Sequence, residues 1–171
     1  SLFIEREDFK EESNRKFFRL TLGKEVRLKN AYIIKGEKVL KDGEGNIIEI
    51  ICSYDPMSRS GSGTEESQRK VKGTLHWVSK EHAKPIIVNM YDRLFSVEEP
   101  DKNKDESPSR FINPNSLSQT KGFIEPGVAN ASEGERFQFQ RLGYFILENK
   151  TADEVLVFNK TVGLRDTWKK T

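Results

Sequence analysis

Period-two alternation of apolar and polar residues, broken by short turn sequences, constrains the fold of this chain more than any other feature. It is clearest in residues 26–34 (VRLKNAYII), 47–54 (IIEIICSY) and 135–149 (ERFQFQRLGYFILEN). Because successive side chains of a β-strand point to opposite faces, these segments predict half-buried strands. In 26–34 the alternation places Arg27 and Lys29 on one face. The turn sequence KDGEGN at 41–46 predicts a hairpin that returns through 47–54.

Other segments support the same fold class. Four further segments carry strand signals: 71–79, 85–95, 122–128 and 154–164. Helix signals are confined to 6–20, where a turn or two is predicted, and the polar segment 55–68 predicts a flexible loop between paired strands. Many short strands with Gly, Asn and Pro turns are typical of β-barrels. We therefore predict an all-β fold of two small β-barrels with short helical turns.

The best internal boundary is an acidic segment that contains Pro100 and Pro108. Between Glu98 and Glu106 five acidic residues stand against two lysines. We predict a first barrel segment at 1–98, an acidic linker at 99–110 and a second barrel segment at 111–171. Strand pairing cannot be read from alternation alone, so strands can be exchanged between the two barrels in this prediction.

The start of the chain and its cysteine content suggest the origin of the sequence. Residues 1–12 (SLFIEREDFKEE) lack an initiator Met and a signal peptide, and read like the middle of a longer protein. No apolar run approaches the roughly 18 residues of a membrane span, so we expect no membrane partner. Cys52 is the only cysteine, which excludes an internal disulfide and favours a reducing compartment. We expect a cytoplasmic location.

Positive charge is concentrated in one stretch, although the whole chain has a net charge of only +2. Residues 14–41 contain nine basic residues and two acidic ones, a net charge of +7. A local basic stripe is typical of a surface that binds a polyanion, and a solvated Lys-rich face is the alternative. The basic residues are Arg15, Lys16, Arg19, Lys24, Arg27, Lys29, Lys35, Lys38 and Lys41.

Catalytic and metal-binding patterns are missing from the sequence. His76 and His82 are the only histidines and have no partner cysteines at ligand spacing, so we predict no metal site. Cys52 lies in an apolar strand signal and is most simply a core residue. There is no P-loop and no GxGxxG after a strand. We predict no catalytic residues in this chain.

Seven segments, in consecutive order, resemble the glutaminyl-tRNA synthetase family. They span nearly the whole chain, and the pieces HWVS and YDRLF distinguish it from the eukaryotic-type glutamyl-tRNA synthetases. The segments are 14–35 (NRKFFRLTLGKEVRLKNAYIIK), 69–79 (RKVKGTLHWVS), 90–97 (MYDRLFSV), 112–117 (INPNSL), 122–126 (GFIEP), 137–145 (FQFQRLGYF) and 157–168 (VFNKTVGLRDTW).

The resemblance implies a fold and a function. In that family this region forms two β-barrels of the ribosomal-protein-L25-like type, with the anticodon loop of tRNA(Gln) splayed between them. The family's ATP-binding motifs lie in an upstream catalytic domain, and this sequence contains neither of them. The resemblance therefore implies a monomeric, tRNA-binding fragment that needs no cofactor and is no enzyme by itself. The parent chain would be a class I glutamine–tRNA ligase that uses ATP.

The resemblance also assigns anticodon contacts residue by residue. Arg19 falls where the family contacts the third base, a guanine, whose O6 and N7 suit an arginine fork. Arg27 and Lys29 fall beside the wobble base. The family often has arginine at both positions, so Lys29 keeps the charge and loses the bidentate geometry. Gln138 and Arg141 match the pair used on the central uracil, with the glutamine able to donate and accept.

Three other interpretations stay open at this point. The first is the equivalent region of a eukaryotic-type glutamyl-tRNA synthetase, which reads a different third base. The second is an L25-like protein that binds ribosomal RNA. The third is a β-barrel adaptor that binds no RNA, for which the basic stripe is accidental. For each of the five residues a local ion pair or a solvated strand face is the alternative to an RNA contact.

Overall fold

A computed structural model describes residues 1–102 and 104–164 of the chain. Strands dominate it, and the helical segments are single turns, so the all-β prediction with short helical turns is confirmed. The strands form one two-stranded, one four-stranded and one five-stranded sheet. In the part of the chain that the structure describes these sheets are not closed into barrels, and the two barrels stay a prediction. The chain divides into two compact units, Ser1–Glu81 and His82–Thr171.

The first unit contains six strands. Its four-stranded sheet has the order β4-β3-β2-β5, and β1 and β6 form a separate antiparallel pair. The strands are β1 (Leu2–Phe3), β2 (Glu25–Leu28), β3 (Ile33–Lys41), β4 (Ile47–Asp55), β5 (Thr74–Leu75) and β6 (Val78–Ser79). The helical turns are a 3-10 turn at Arg6–Asp8, a second at Pro56–Ser58 and the short helix α1 (Glu65–Gln68).

The hairpin predicted at 41–46 is confirmed, but the single strand predicted at 26–34 is wrong. Strand β2 ends at Leu28, and Asn30 adopts a φ of 57° in a tight turn before β3. Asparagine tolerates this left-handed conformation better than most residues. The amide of Leu28 then donates to the carbonyl of Tyr32 at 2.9 Å. As a result Arg27 lies within the strand, whereas Lys29 lies just beyond its end.

Alternation still identified the buried face of this sheet. Val26, Leu28 and Ile34 belong to the core of the first unit, with Phe9, Leu20, Ala31 and Leu75. At Gly73 the chain passes close to the backbone of Phe18. A Cβ atom at that position would lie 2.4 Å from the carbonyl oxygen of Phe18, which is too close for any other residue without a shift of the backbone.

The second unit is built on five strands in the order β8-β7-β11-β10-β9. They are β7 (Lys84–Tyr91), β8 (Leu117–Ile124), β9 (Arg136–Phe139), β10 (Gly143–Lys150) and β11 (Leu156–Val162). Neighbouring strands are antiparallel except β7 and β11, which are parallel. Two 3-10 turns, Pro108–Phe111 and Pro126–Val128, lie outside the sheet.

One face of this sheet is an aromatic and aliphatic core. The ring of Phe139 stacks on that of Phe145 with centroids 4.3 Å apart, and Phe158 meets Phe137 and Phe139 edge to face. Ile86 and Val88 complete the same cluster. Because strand side chains alternate, Gln138 and Tyr144, which lie between these core positions, point to the opposite, outer face.

The observed division of the chain differs from the predicted one. Strand β7 pairs with β8 and β11 and therefore belongs to the second unit. The acidic segment 99–110 consequently connects two paired strands of one unit. The end of the predicted second segment, 165–171, and with it the end of the segment 157–168, lies outside the described residues.

Candidate nucleic-acid interface

Arg19 is held beside the sheet of the first unit by a buried carboxylate. Its Nε donates to Oδ1 of Asp8 at 3.0 Å, and Nη1 donates to the carbonyl of Phe18 at 3.2 Å. Asp8 is almost fully buried, whereas about a third of the Arg19 side chain is exposed. The carboxylate therefore fixes one edge of the guanidinium while other donors stay accessible.

Arg27 makes four side-chain hydrogen bonds within the first unit. Its Nη1 donates to Ser58 O at 2.8 Å and to Ser60 Oγ at 3.3 Å. Its Nη2 donates to Ser67 O at 2.9 Å and to Arg69 O at 3.1 Å. A guanidinium carries five N–H donors, so these bonds leave the Nε–H and the planar faces for other partners. The side chain clamps residues 56–69 onto β2.

The clamped segment was predicted as a flexible loop between paired strands, but it makes many specific bonds. Ser58 is completely buried, and its Oγ accepts from the amide of Ile33 at 2.8 Å and donates to Asp55 O at 2.6 Å. At its far end Arg69 forms ion pairs with Glu25 and Asp55, and its hydrogen bonds to Glu25 and then Asp55 raise its pKa. The strands that flank the segment, β4 and β5, are not neighbours in the sheet.

Lys29 lies at the turn after β2 with an exposed side chain. Its backbone is fixed on both sides. The Lys29 amide donates to Leu75 O at 2.9 Å, and its carbonyl accepts from the indole Nε1 of Trp77 at 3.0 Å. The tryptophan thus orients the turn from which the lysine projects. Arg19, Arg27 and Lys29 all belong to the first unit.

Gln138 and Arg141 lie together on the hairpin of β9 and β10 in the second unit. Gln138 is exposed on β9 directly opposite Tyr144. Arg141 occupies the turn, with a φ of 67°, and the amide of Leu142 closes the turn onto Phe139 O at 3.0 Å. Such a φ costs a non-glycine residue about 1–2 kcal/mol, and strained residues of this kind cluster at functional sites.

Next to this hairpin the outer face of the sheet carries a row of amide side chains that the sequence did not single out. Asn89 is 7% exposed and donates to Asn159 Oδ1 at 2.8 Å and to Glu148 at 3.3 Å. Gln119 donates to Asn89 Oδ1 at 2.9 Å. Tyr91 donates its hydroxyl to the same Asn159 oxygen at 3.0 Å. Alternation within each strand places these residues on one face, but the strand order that aligns them is visible only in the structure.

Local carboxylates neutralise part of the basic stripe. Besides the Arg19 pair, Lys41 binds Glu11 at 2.8 Å and Lys35 binds Glu37 at 3.4 Å. Exposed pairs of this kind contribute little to stability, but they reduce the local positive potential. The stripe is therefore weaker as an electrostatic signal than the count of basic residues suggests.

The remaining groups to consider are the single cysteine, the two histidines and the acidic side chains. Burial raises the pKa of the half-buried Cys52 thiol, and the carboxylate of Glu37 raises it further. Within residues 1–102 and 104–164, no cluster of three or more His, Cys, Asp or Glu side chains could hold a metal ion. His76 is half-buried next to the core residue Leu75. In the same residues, no helix is long and apolar enough to cross a bilayer.

Comparison with known families identifies the class to which this arrangement belongs. Two family models, both described as the anticodon-binding domain of class I (E and Q) tRNA synthetases, match residues 1–55 and 74–148. These ranges include all five predicted site residues. The chain belongs to the anticodon-binding domain family of class I (E and Q) tRNA synthetases.

Curated relatives narrow the resemblance to one member of that class. The chain is 50% identical over 170 residues to a glutamine–tRNA ligase of Rhodopirellula baltica. It is 52% identical to those of Serratia proteamaculans and Vibrio parahaemolyticus. Each match covers 99% of this chain but only 28–30% of the relative. The resemblance to glutaminyl-tRNA synthetases is confirmed, and it is favoured over the L25-like and adaptor interpretations.

Proposed function

We propose that this chain recognises the anticodon loop of tRNA(Gln), as part of a longer, cytoplasmic ligase that joins glutamine to that tRNA with ATP. The observation that carries the proposal is the match to glutamine–tRNA ligases along 99% of the chain. The catalytic domain of the same parent chain is then its partner, and ATP binds there. The anticodon-binding part acts as a monomer.

The hairpin of β9 and β10 supports the reading of the central base. A glutamine amide can donate to and accept from the edge of uracil, and cytosine presents the opposite pattern at that edge. Gln138 is exposed on its strand, and Arg141 is held in a positive-φ turn three residues later. We assign both residues to the central uracil.

The first unit supplies the remaining contacts in this proposal. Arg19 reads the third base, because its guanidinium, braced by Asp8, suits the O6 and N7 acceptors of guanine. Lys29 contributes charge near the wobble base without bidentate geometry. The four hydrogen bonds of Arg27 leave only its Nε–H and its guanidinium face for direct contact with the RNA. The principal contribution of Arg27 is therefore to position residues 56–69.

A titration with anticodon stem-loops tests the proposal. The 171-residue chain is titrated with stem-loops that carry the glutamine anticodon or a changed central base, at two salt concentrations. We expect Arg141→Ala to weaken binding of the cognate loop by about 1–3 kcal/mol, and binding of loops with other central bases by less. Equal loss for all four central bases would contradict the assigned role.

Matched controls separate base reading from phosphate binding. Lys24, whose Nζ lies 3.2 Å from Ser13 Oγ, and Lys35 belong to the basic stripe but carry no assigned base. Replacing either with alanine should weaken all loops equally and reduce the salt dependence. If the affinity of the wild-type chain falls with salt but is the same for every central base, specific reading of the anticodon bases is excluded. Preference for a loop whose third base is C would instead favour a glutamyl-tRNA synthetase.

A further inference from the structure

The outer face of the five-stranded sheet carries two exposed tyrosines, one of them on the hairpin that holds Gln138. Tyr144 lies opposite Gln138 in the ladder and is 45% exposed. Tyr91, on β7, is 55% exposed. Both point away from the aromatic core, since their neighbours Phe145 and Met90 pack on the inner face.

The register places the two rings in one row across the sheet. Asn89, Asn159 and Ile146 are paired across β7, β11 and β10. Tyr91 lies two residues after Asn89, and Tyr144 two residues before Ile146. Since β10 runs antiparallel to β7, both steps lead toward the same end of the sheet, and a register shift between Tyr144 and Phe145 pairs Tyr144 with Val162 of β11. Two inter-strand spacings separate the backbones of the two tyrosines by about 10 Å.

The row of amides gives Tyr91 a fixed position. Its hydroxyl donates to Asn159 Oδ1, and that oxygen also accepts from Asn89. Asn89 is in turn bonded to Gln119 and Glu148. The polar end of the ring is therefore tied to a network across four strands, while more than half of the side chain stays open to solvent. A ring held in this way loses little conformational entropy when a planar ligand stacks on it.

Two cations at the rim of this face suit a nucleic acid, although the same face also carries the carboxylate of Glu148 in the amide row. Lys121 lies on the edge strand β8, opposite Ile87, and Arg136 lies on the other edge strand β9, opposite Ile146. Ile87 and Ile146 alternate with core positions, so both cations lie on the outer face and both are exposed. Exposed aromatics between cationic edges are the arrangement by which sheets bind single-stranded RNA.

We propose that this outer face is a stacking platform for single-stranded nucleotides of the anticodon loop, with Tyr144 and Tyr91 as the stacking residues. Tyr144 stacks on a base next to the one that Gln138 reads, because the two side chains lie side by side on the outer face, paired across the β9–β10 ladder. Tyr91 takes a further base of the same strand. Stacking tolerates any base, so the platform adds affinity and leaves sequence reading to Gln138 and Arg141. The inference rests on the proposed function and extends it.

Binding of two RNA probes by the intact 171-residue chain tests the platform. The probes are the cognate anticodon stem-loop and an unstructured oligouridine at low salt. We expect Tyr144→Ala and Tyr91→Ala to weaken both probes by about 5- to 100-fold. Tyr144→Phe keeps the ring and should stay within about twofold of wild type. Tyr54→Ala is the control, because Tyr54 is 62% exposed but lies in the first unit.

The outcomes separate this inference from the proposed function. If Gln138→Ala weakens the stem-loop but Tyr144→Ala and Tyr91→Ala leave both probes unchanged, the platform is overturned and anticodon reading stands. If Tyr144→Phe loses as much as Tyr144→Ala, the hydroxyl rather than the ring is used, and stacking is overturned. If the tyrosine variants change self-association in sedimentation but not RNA binding, the face binds a second copy instead. If the tyrosine variants lose oligouridine binding, and the wild-type chain shows no preference among stem-loops with different central bases, the platform is supported and the proposed base reading is overturned.

Discussion

Arg27 offers the sharpest test of how the first unit is held together. Of its four hydrogen bonds to residues 58–69, those to Ser58 O at 2.8 Å and Ser67 O at 2.9 Å are short and partly buried. The bond to Arg69 O is exposed, and that to Ser60 Oγ is long. Counting about 1.5 kcal/mol for each of the two better bonds from a charged donor, Arg27→Ala should destabilise the unit by about 3 kcal/mol.

Urea unfolding measures this loss. Trp77 belongs to the first unit and contacts the residue-29 carbonyl, so its fluorescence reports on the clamped region. A Trp168→Phe background removes the second tryptophan of the chain. Arg27→Lys retains the charge but not the two-armed geometry, and should recover about 1 kcal/mol of the loss. Trypsin should also cleave after Arg59 faster in Arg27→Ala than in wild type.

Arg59 provides the matched control. It lies in the same segment and is exposed, and among the described residues its side chain makes no hydrogen bond. Arg59→Ala should therefore change the free energy of unfolding by less than about 0.5 kcal/mol. If Arg27→Ala unfolds at the same urea concentration as Arg59→Ala, and trypsin cleaves it after Arg59 no faster than it cleaves wild type, the bonds of Arg27 contribute nothing to stability.

Three further predictions concern single positions. Gly73→Ala should lower the unfolding midpoint by the equivalent of about 1–3 kcal/mol, because its Cβ would lie 2.4 Å from Phe18 O; unchanged thermal unfolding would contradict this close approach. Arg141→Gly should be more stable than Arg141→Ala by about 1 kcal/mol in urea, because both lose the side chain but only glycine is unstrained at that φ; equal midpoints would refute strain at the turn. Cys52 should react with iodoacetamide at pH 8.5 more slowly than free cysteine, because its raised pKa reduces the thiolate fraction. Glu37→Gln should accelerate that reaction, and an unchanged rate would exclude the carboxylate as a cause.

Local patterns in the sequence predicted local structure well. Alternation identified the buried face that includes Val26 and Leu28, and the turn residues at 41–46 identified a hairpin. The turn at Asn30 was missed because even positions are apolar on both sides of it, at 26 and 28 and again at 32 and 34, and only the φ of 57° reveals the reversal. Periodicity reports which side of a strand is buried, but it does not report where a strand ends.

Features that depend on distant residues were not predictable in the same way. The carbonyl and hydroxyl partners of Arg27 lie 31–42 positions further along the chain. The amide row joins Asn89 to Gln119 and Asn159 through a strand order that no local pattern encodes. The resemblance assigned roles to individual residues, such as Arg27 at the wobble base, without revealing the intramolecular bonds that already occupy them.

The parallel pairing of β7 with β11 has a consequence for the order of folding. Ile86 at the start of the second unit pairs with Leu156 near its end, so the centre of that sheet closes only after nearly the whole unit exists. Closing such a long loop costs entropy before any contact compensates, which slows folding. On the ribosome the first unit can complete its own sheets before β11, the parallel partner of β7, has been synthesised. A chain that stops before β11 leaves β7 and β10 each with an unpaired edge, open to aggregation.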